Sequence, residues 1–145
     1  MKRFAWAVLG LGLWAVASVA PLRGQAPPGT VELKQSHPNP SDPGATIPFT
    51  LSGDLFTNGH RPIVSLKVYN VLAQVVATPV LVGTGEVLDN LLLSCEDLVG
   101  CSYTAYWDGS IARRGLASGH ASPGVYLYQL VVDGARFTKK MVVVR

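Results

Sequence analysis

The sequence VYLYQLVVDGARFTKKMVVV, residues 125–144, joins two β-rich runs through the dipeptide Asp133-Gly134. A two-residue hairpin loop of type I′ needs positive φ at both central residues, which aspartate and glycine tolerate. The stretch therefore predicts a β-hairpin and places the last strand of the chain inside a sheet. If that strand lies unpaired at an edge, residues 141–144 are expected to be prone to pairing with other chains.

The chain that precedes this hairpin shows the same pattern of short strands. The candidate strands are residues 31–35, 46–51, 63–70, 75–82, 86–93, 102–107, 124–132 and 135–144. In the third of them Val64, Leu66 and Val68 alternate with more polar residues, which predicts one core-facing side. Because no long apolar period of 3.6 residues is present, the pattern predicts an all-β sandwich or barrel.

The N-terminal residues have the features of a secretory signal. Lys2 and Arg3 precede an uncharged apolar run over residues 4–20, which is short for a membrane span. The best cleavage point follows Ala17, with Ala20 and Gly24 as competitors, and an uncleaved anchor is the alternative. The predicted organisation is a signal peptide over residues 1–24, a Pro/Gly-rich leader over residues 25–30 and one domain over residues 31–145.

The charge balance depends on that signal. The full chain has twelve basic and nine acidic residues, and loss of Lys2, Arg3 and Arg23 leaves nine of each. Nucleic-acid binding requires many Lys and Arg side chains that meet phosphates. A neutral exported domain is therefore not expected to bind nucleic acid.

Cys95 and Cys101 are the only cysteines of the chain. In a protein that passes through an oxidising compartment, the default for such a pair is a disulfide. A redox pair or half of a metal site is the alternative, although the spacing is not Cys-x-x-Cys.

The sequence offers little catalytic chemistry, since an enzyme is expected to show a nucleophile with a base, paired carboxylates or clustered metal ligands. His37, His60 and His120 are scattered among Pro- or Gly-rich turns, and most acidic residues occupy predicted turns. Loop carboxylates can gather calcium, but no Asp-x-Asp cluster supports it. The sequence predicts no enzyme, cofactor, metal site or small-molecule substrate.

Three aromatic residues have two interpretations each. Trp107, before the turn at Asp108-Gly109, is either a ligand platform or a plug of the core, and its large apolar area favours the plug. Tyr126 and Tyr128 alternate with aliphatic residues and should share a face, at the edge of the core or in a contact surface.

Six motifs in order carry a resemblance to a known family, over nearly the whole expected mature chain, from about Thr30 to Arg145. They are HPNP (37–40), TIPFTL (46–51), LKVYN (66–70), WDG (107–109), GVYLY (124–128) and KKMVVVR (139–145). The chain resembles the Ig-like family that covers the C-terminal sorting domains of bacterial type IX secretion and the Ig-like domain of the flagellar hook-cap protein. The resemblance implies an immunoglobulin-like antiparallel β-sandwich of about seven strands.

The resemblance also implies a recognition element in the final hairpin, formed by Gly124, Tyr126, Lys139, Lys140 and Arg145. Its partner would be the outer-membrane export machinery, and the protein would be secreted or held at the outer cell surface after passing through the periplasm. From the residues alone, the two lysines are a solvated strand end.

Some features depart from the family pattern. Ala73 stands in a turn where glycine is usual, which suggests another form of turn. Pro38-Asn39-Pro40, in contrast, agrees with the resemblance, since its prolines should make a rigid entry turn in which Asn39 tolerates a left-handed backbone. Residues 118–123 and the cysteine loop resemble insertions. Sorting domains normally follow a larger cargo, so a structural subunit of a surface filament or envelope assembly is the alternative function. A ligand-binding or enzymatic domain that works through its loops is the third.

Overall fold

Alternating burial along the longer strands defines the fold. The structure is a computed structural model and describes residues 30–96, 100–113 and 116–144. In the strand Ala45–Ser52 every second side chain is buried, and Val64, Leu66 and Val68 are buried in Ile63–Tyr69, as predicted. A period of two with one apolar side requires that each sheet packs one face against a partner.

The described residues form eleven strands. In chain order they are β1 (Val31–Leu33), β2 (Ala45–Ser52), β3 (Ile63–Tyr69), β4 (Val75–Ala77), β5 (Val80–Leu81), β6 (Leu91–Leu92), β7 (Gly100–Trp107), β8 (Ser110–Arg113), β9 (Leu116–His120), β10 (Gly124–Val132) and β11 (Ala135–Val143). A short 3-10 segment, Gly53–Gly59, follows β2. All pairings between these strands are antiparallel.

Two sheets form a sandwich of immunoglobulin type. One has the strand order β1-β2-β7-β5, and the other has the order β11-β10-β3-β4, with β6 also paired to β3. Immunoglobulin domains place strands A, B, E and D in one sheet and strands C, F and G in the other. The order agrees when β1, β2, β7 and β5 are A, B, E and D, and β3, β10 and β11 are C, F and G. The predicted Ig-like antiparallel sandwich is confirmed.

Residues from both sheets make one continuous core. Phe49 of β2, Leu66 of β3, Leu130 of β10 and Met141 of β11 are all inaccessible to solvent. Full burial of such a side chain contributes about 1.5–3 kcal/mol. The core therefore joins the final hairpin to the rest of the sandwich.

The expected number of about seven strands is too low. The candidate strand 75–82 divides into β4 and β5, which belong to different sheets, because Pro79 has no N–H to continue a ladder. Of residues 86–93 only Leu91–Leu92 form a strand, since Asn90 just before it has a φ of 50°. These interruptions produce several short strands at the sheet edges and raise the number of strands above seven.

The third sheet is the hairpin of β8 and β9, which packs against β4. It includes residues 118–120 of the stretch expected to be an insertion. The first half of the stretch thus adds strand structure beside the sandwich, and residues 121–123 connect it to β10.

The N-terminal boundary lies at the edge of the described residues. The predicted signal peptide and residues 25–29 of the leader are outside them. Thr30 is buried, and its C=O accepts a hydrogen bond of 2.8 Å from Ser52 N–H, so Thr30 already belongs to the sandwich. Among the described residues, no helix has the length and hydropathy needed to cross a bilayer.

Candidate recognition site in the C-terminal hairpin

The turn of the final hairpin has the predicted form. Asp133 has a φ of 48° and Gly134 a φ of 87°, and they separate the paired residues Val132 and Ala135. The two strands then pair without a bulge as far as Gly124 and Val143. The Asp-Gly prediction of a type I′ hairpin is confirmed.

The carboxylate of Asp133 ties this turn to the start of β3. Its Oδ1 accepts a hydrogen bond of 2.9 Å from Ile63 N–H, and its Oδ2 lies 2.7 Å from His60 Nε2. The backbone N–H of Asp133 donates to Ile63 C=O over 3.0 Å. His60 therefore has a structural partner at the hairpin turn.

Gly124 and Tyr126 lie at the other end of the hairpin. Gly124 has a φ of 150°, which favours glycine, and pairs with Val143. Tyr126 is buried, with its ring centroid 5.9 Å from that of Trp107, and its hydroxyl donates to Ser122 C=O over 2.8 Å. This bond to the backbone just upstream has the form of the tyrosine corner of Ig-like sandwiches. Tyr126 supports the hairpin from its inner side.

Tyr128 joins the hairpin to the chain that follows β1. Its side chain is fully buried, and its hydroxyl accepts from Ser36 N–H at 2.9 Å and donates to Lys34 C=O at 2.8 Å. Burial raises the pKa of Tyr128, and the bond from Ser36 opposes part of that rise. As predicted, both tyrosines share a face, and of the two alternatives it is the core-facing side.

Residues 35–41, which we call the clamp segment, lie along the outer edge of β11. Ser41 N–H donates to Val142 C=O over 2.8 Å, and Val144 N–H donates to Ser41 C=O over 3.0 Å. Ser41 is completely buried. The clamp segment therefore takes the place of a further strand beside the end of β11.

Side chains of the clamp segment complete this contact. The Asn39 Oδ1 accepts from Val142 N–H at 3.2 Å, and Gln35 Nε2 donates to Lys140 C=O at 2.9 Å. The peptide bonds before Pro38 and Pro40 are cis, and Asn39 does not use the left-handed backbone that its sequence context allows. The first and the last motif of the resemblance are thus in direct contact.

The two lysines of the predicted recognition element face different sides. Lys139 pairs with Tyr128 and Lys140 with Leu127, and both lysine side chains are exposed. Since neighbouring residues of a strand alternate, Lys139 lies on the side of buried Met141, at the margin of the core, and Lys140 lies on the outer face. Arg145 lies outside the described residues.

Four of the five predicted recognition residues are therefore in one hairpin, but only the lysines carry exposed side-chain charge. The sequence did not reveal that the clamp segment covers the end of the last strand. The one local signal for this contact was the short polar stretch around Asn39. A local pattern does not identify a bonding partner that lies more than a hundred positions away.

The Trp107 turn has a structural role. Trp107 is buried, and its Nε1–H donates to Ser110 C=O over 2.8 Å, which confirms the prediction of a core plug. Asp108 accepts bonds from the hydroxyl and the N–H of Ser110, and these bonds lower its pKa. Within the described ranges, no three His, Cys, Asp or Glu side chains gather as a metal ion would need.

Cys95 and Cys101 form the predicted disulfide, with their Cα atoms 5.9 Å apart. Cys101 lies in β7, next to Leu51 of β2. The bond ties residue 95 to the start of this central strand.

A cleft of about 440 Å³ lies between β4 and β8. Asn70, Gln74, Ser122 and Tyr126 supply its polar lining, and none of its described lining residues carries a charge. The Asn70 turn beside it contains Ala73 with a φ of 59°, so alanine occupies the left-handed position itself. Asn70 Oδ1 accepts from the N–H groups of Leu72 and Gln74 and stabilises this turn without a glycine.

Exposed apolar side chains gather at the same end of the outer face. Val75, Val125 and Leu127 are 49%, 41% and 38% exposed, and Val71 and Leu72 protrude from the neighbouring turn. Leu127 and Val75 both pair with Tyr69, so they lie in one row across the sheet. We call these five residues the apolar patch, which the sequence pattern did not predict.

No protein-family model, curated protein or solved structure matches the chain.

Proposed function

We propose that this chain is an exported, non-catalytic Ig-like module that serves as a sorting or surface-targeting element of type IX secretion. The C-terminal hairpin is its recognition element, and the outer-membrane export machinery is its partner. The protein would be secreted or held at the outer surface after passing through the periplasm.

The exposure of Lys139 and Lys140 on a clamped final strand carries this proposal. The type I′ turn fixes one end of the hairpin, and the clamp segment fixes the other. A recognition site works best on rigid elements. The two lysines are thereby presented on a strand that is held at both ends.

Export by a bacterium with type IX machinery tests the proposal. Deletion of residues 139–145 should leave the protein in the periplasm. Because this deletion also removes buried Met141 and Val143, the sharper variant is Lys139→Gln with Lys140→Gln, which changes only exposed side chains. We expect it to accumulate in the periplasm as a folded protein.

The matched control is Lys34→Gln, an exposed lysine outside the hairpin. It should be exported like the wild type. Normal secretion of both the truncated protein and the double lysine variant would refute the sorting function.

The apolar patch favours a second candidate function, a structural subunit of a surface filament or envelope assembly. Contiguous exposed apolar surface is typical of protein contact sites. Here a second copy of the chain would cover Val125, Leu127 and Val75.

Sedimentation of the purified protein over a range of concentrations tests this alternative. Leu127→Glu should abolish assembly, whereas Gln129→Glu, on the same strand and face but outside the patch, should not. A strict monomer at high concentration, with no bound partner, would count against the subunit.

A further inference from the structure

The edge strands of the sandwich differ greatly in length. β1, β4, β5 and β6 have two or three residues each, whereas β11 has nine. A short edge strand offers too few main-chain groups to template pairing with another chain. Among the described strands, β11 is the one long edge.

The open part of this edge follows from the hydrogen-bond pattern. The N–H and C=O of Val142 bond the clamp segment, so they point away from β10. Main-chain groups of an antiparallel strand alternate in direction with every residue. The N–H and C=O groups of Arg136 and Thr138, and the N–H of Lys140, therefore also point outward, and no described residue bonds them.

The same stretch carries a concentration of positive charge. Arg136 and Lys140 lie on the outer face about 13 Å apart, as four strand residues require. Lys139 lies on the other side, next to half-buried Phe137. In the described part of the chain none of these three cations forms an ion pair.

This charge disfavours a second copy as the occupant of the edge. A symmetric antiparallel pairing centred on Thr138 would place Arg136 opposite Lys140 of the other copy. Like charges directly opposite each other destabilise a strand pair, whereas opposite charges stabilise it. The charge therefore opposes pairing between two copies of this edge and favours pairing with an acidic strand.

We propose that residues 136–140 of β11 bind an extended acidic peptide segment of a partner protein by strand addition. The main-chain groups of Arg136 and Thr138 hold its backbone, and Arg136, Lys139 and Lys140 select its carboxylates. Phe137 selects an apolar residue on the inner side of the added strand. This inference rests on the proposed function in one respect, that the hairpin meets a partner, and it assigns that partner's chemistry.

Binding of a synthetic peptide to the purified protein tests this site. The probe is the peptide TEVTEEVT, whose second and sixth residues meet Arg136 and Lys140 in either strand direction, and whose third and fifth residues meet Phe137 and Lys139 when it adds parallel to β11. We expect binding by fluorescence anisotropy that weakens with added salt, together with NMR shifts confined to the amides of residues 136–140 and the strands beside them. The control peptides are TKVTKKVT and TEVTEEVT with N-methylated backbone, and neither should bind.

A matched pair of variants separates strand addition from charge attraction alone. Thr138→Pro removes an outward N–H that β10 does not use, and edge strands tolerate proline at such positions. Thr138→Val keeps that N–H, and both variants lose the contact of 3.1 Å with Gln129 Nε2. We expect Thr138→Pro to bind about tenfold or more weakly than Thr138→Val, the loss expected for one main-chain hydrogen bond.

Equal binding by these two variants, or binding of TKVTKKVT or the methylated peptide as strong as that of TEVTEEVT, would overturn the inference, as would no binding at all. The export assay distinguishes a failure of the strand-addition site from a failure of the sorting function. If the double lysine variant is retained in the periplasm while the acidic peptide does not bind, the sorting function stands and the strand-addition site is wrong.

Discussion

The two halves of β11 differ in what covers their outer edge. In residues 141–144 the clamp segment satisfies the outward main-chain groups, and Met141 and Val143 are buried. In residues 136–140 the edge is open except at the Lys140 C=O, which accepts from Gln35, and three cations line it. The apolar half of a long edge strand is thus covered by the chain itself, while the charged half is left to solvent, as edge-strand protection requires.

Met141→Ala should give the largest difference between the two halves. Met141 is fully buried, so its truncation should lower the free energy of unfolding by about 2–5 kcal/mol. Lys139→Ala, two positions away in the open half, should change it by less than about 0.5 kcal/mol. Urea unfolding of both variants measures this, and equal losses would show that the two halves do not differ.

Tyr128→Phe should loosen the first residues of the clamp segment. It leaves the buried N–H of Ser36 without its hydroxyl partner, at a cost of about 1–3 kcal/mol. Tyr126→Phe serves as the control, since it loses a bond to Ser122 and not to the segment after β1. Only Tyr128→Phe should speed the exchange of the Ser41 amide.

The same tyrosine predicts a pH dependence. Because burial raises the folded pKa of Tyr128 above the unfolded value of about 10, the neutral form is favoured in the native state. Its contribution to stability is complete below that pH and is lost as the pH rises through the folded pKa. The pKa of Tyr103 is raised for the same reason, so Tyr128→Phe should remove part of the alkaline loss in unfolding experiments. An unchanged alkaline loss would contradict this.

Asn39→Ala should weaken the clamp by a smaller amount. The loss of one acceptor for Val142 N–H should cost about 1 kcal/mol. Amide exchange of Val142 should accelerate, whereas that of Val143, which faces β10, should not. Asn39→Asp keeps an acceptor oxygen and should retain the protection of Val142.

Removal of charge from the open half should have the smallest effect on stability. Arg136→Gln with Lys140→Gln should change the free energy of unfolding by less than about 0.5 kcal/mol. It should nevertheless increase self-association, because the like-charge barrier to pairing of two β11 edges is lost. Sedimentation at low and high salt measures this, and a double variant as monomeric as the wild type would contradict the role of charge.

Local sequence signals were sufficient for the longer strands. The predicted strand at residues 124–132 coincides with β10, and the predictions for β3 and β11 differ from the structure by one residue each. These strands show clear alternation, and the Asp-Gly turn has a fixed backbone requirement. Pro79 marks an interruption in residues 75–82, but the placing of the two halves in different sheets was not predictable in this way, because both halves are equally apolar.

The candidate site was predictable only in part. The exposure of Lys140 follows from its place on the outer face of an alternating strand, whereas Lys139 lies on the side of buried Met141 and its exposure does not follow from alternation. The open half of the edge could not be located from the sequence. Residues 141–144 were instead expected to be the part prone to pairing with other chains, because they are apolar. That half is covered by Ser41 and Asn39, which lie far away in the chain.

The sequence by itself determined the final hairpin, the all-β class, the disulfide pair and the positive charge of residues 136–140, because each depends on short-range periodicity, turn geometry or residue identity. The tertiary structure decided which half of β11 is closed, where the apolar patch lies and how Tyr126 and Tyr128 are used. Those properties depend on contacts between segments distant in the chain, and local patterns carry no information about such contacts.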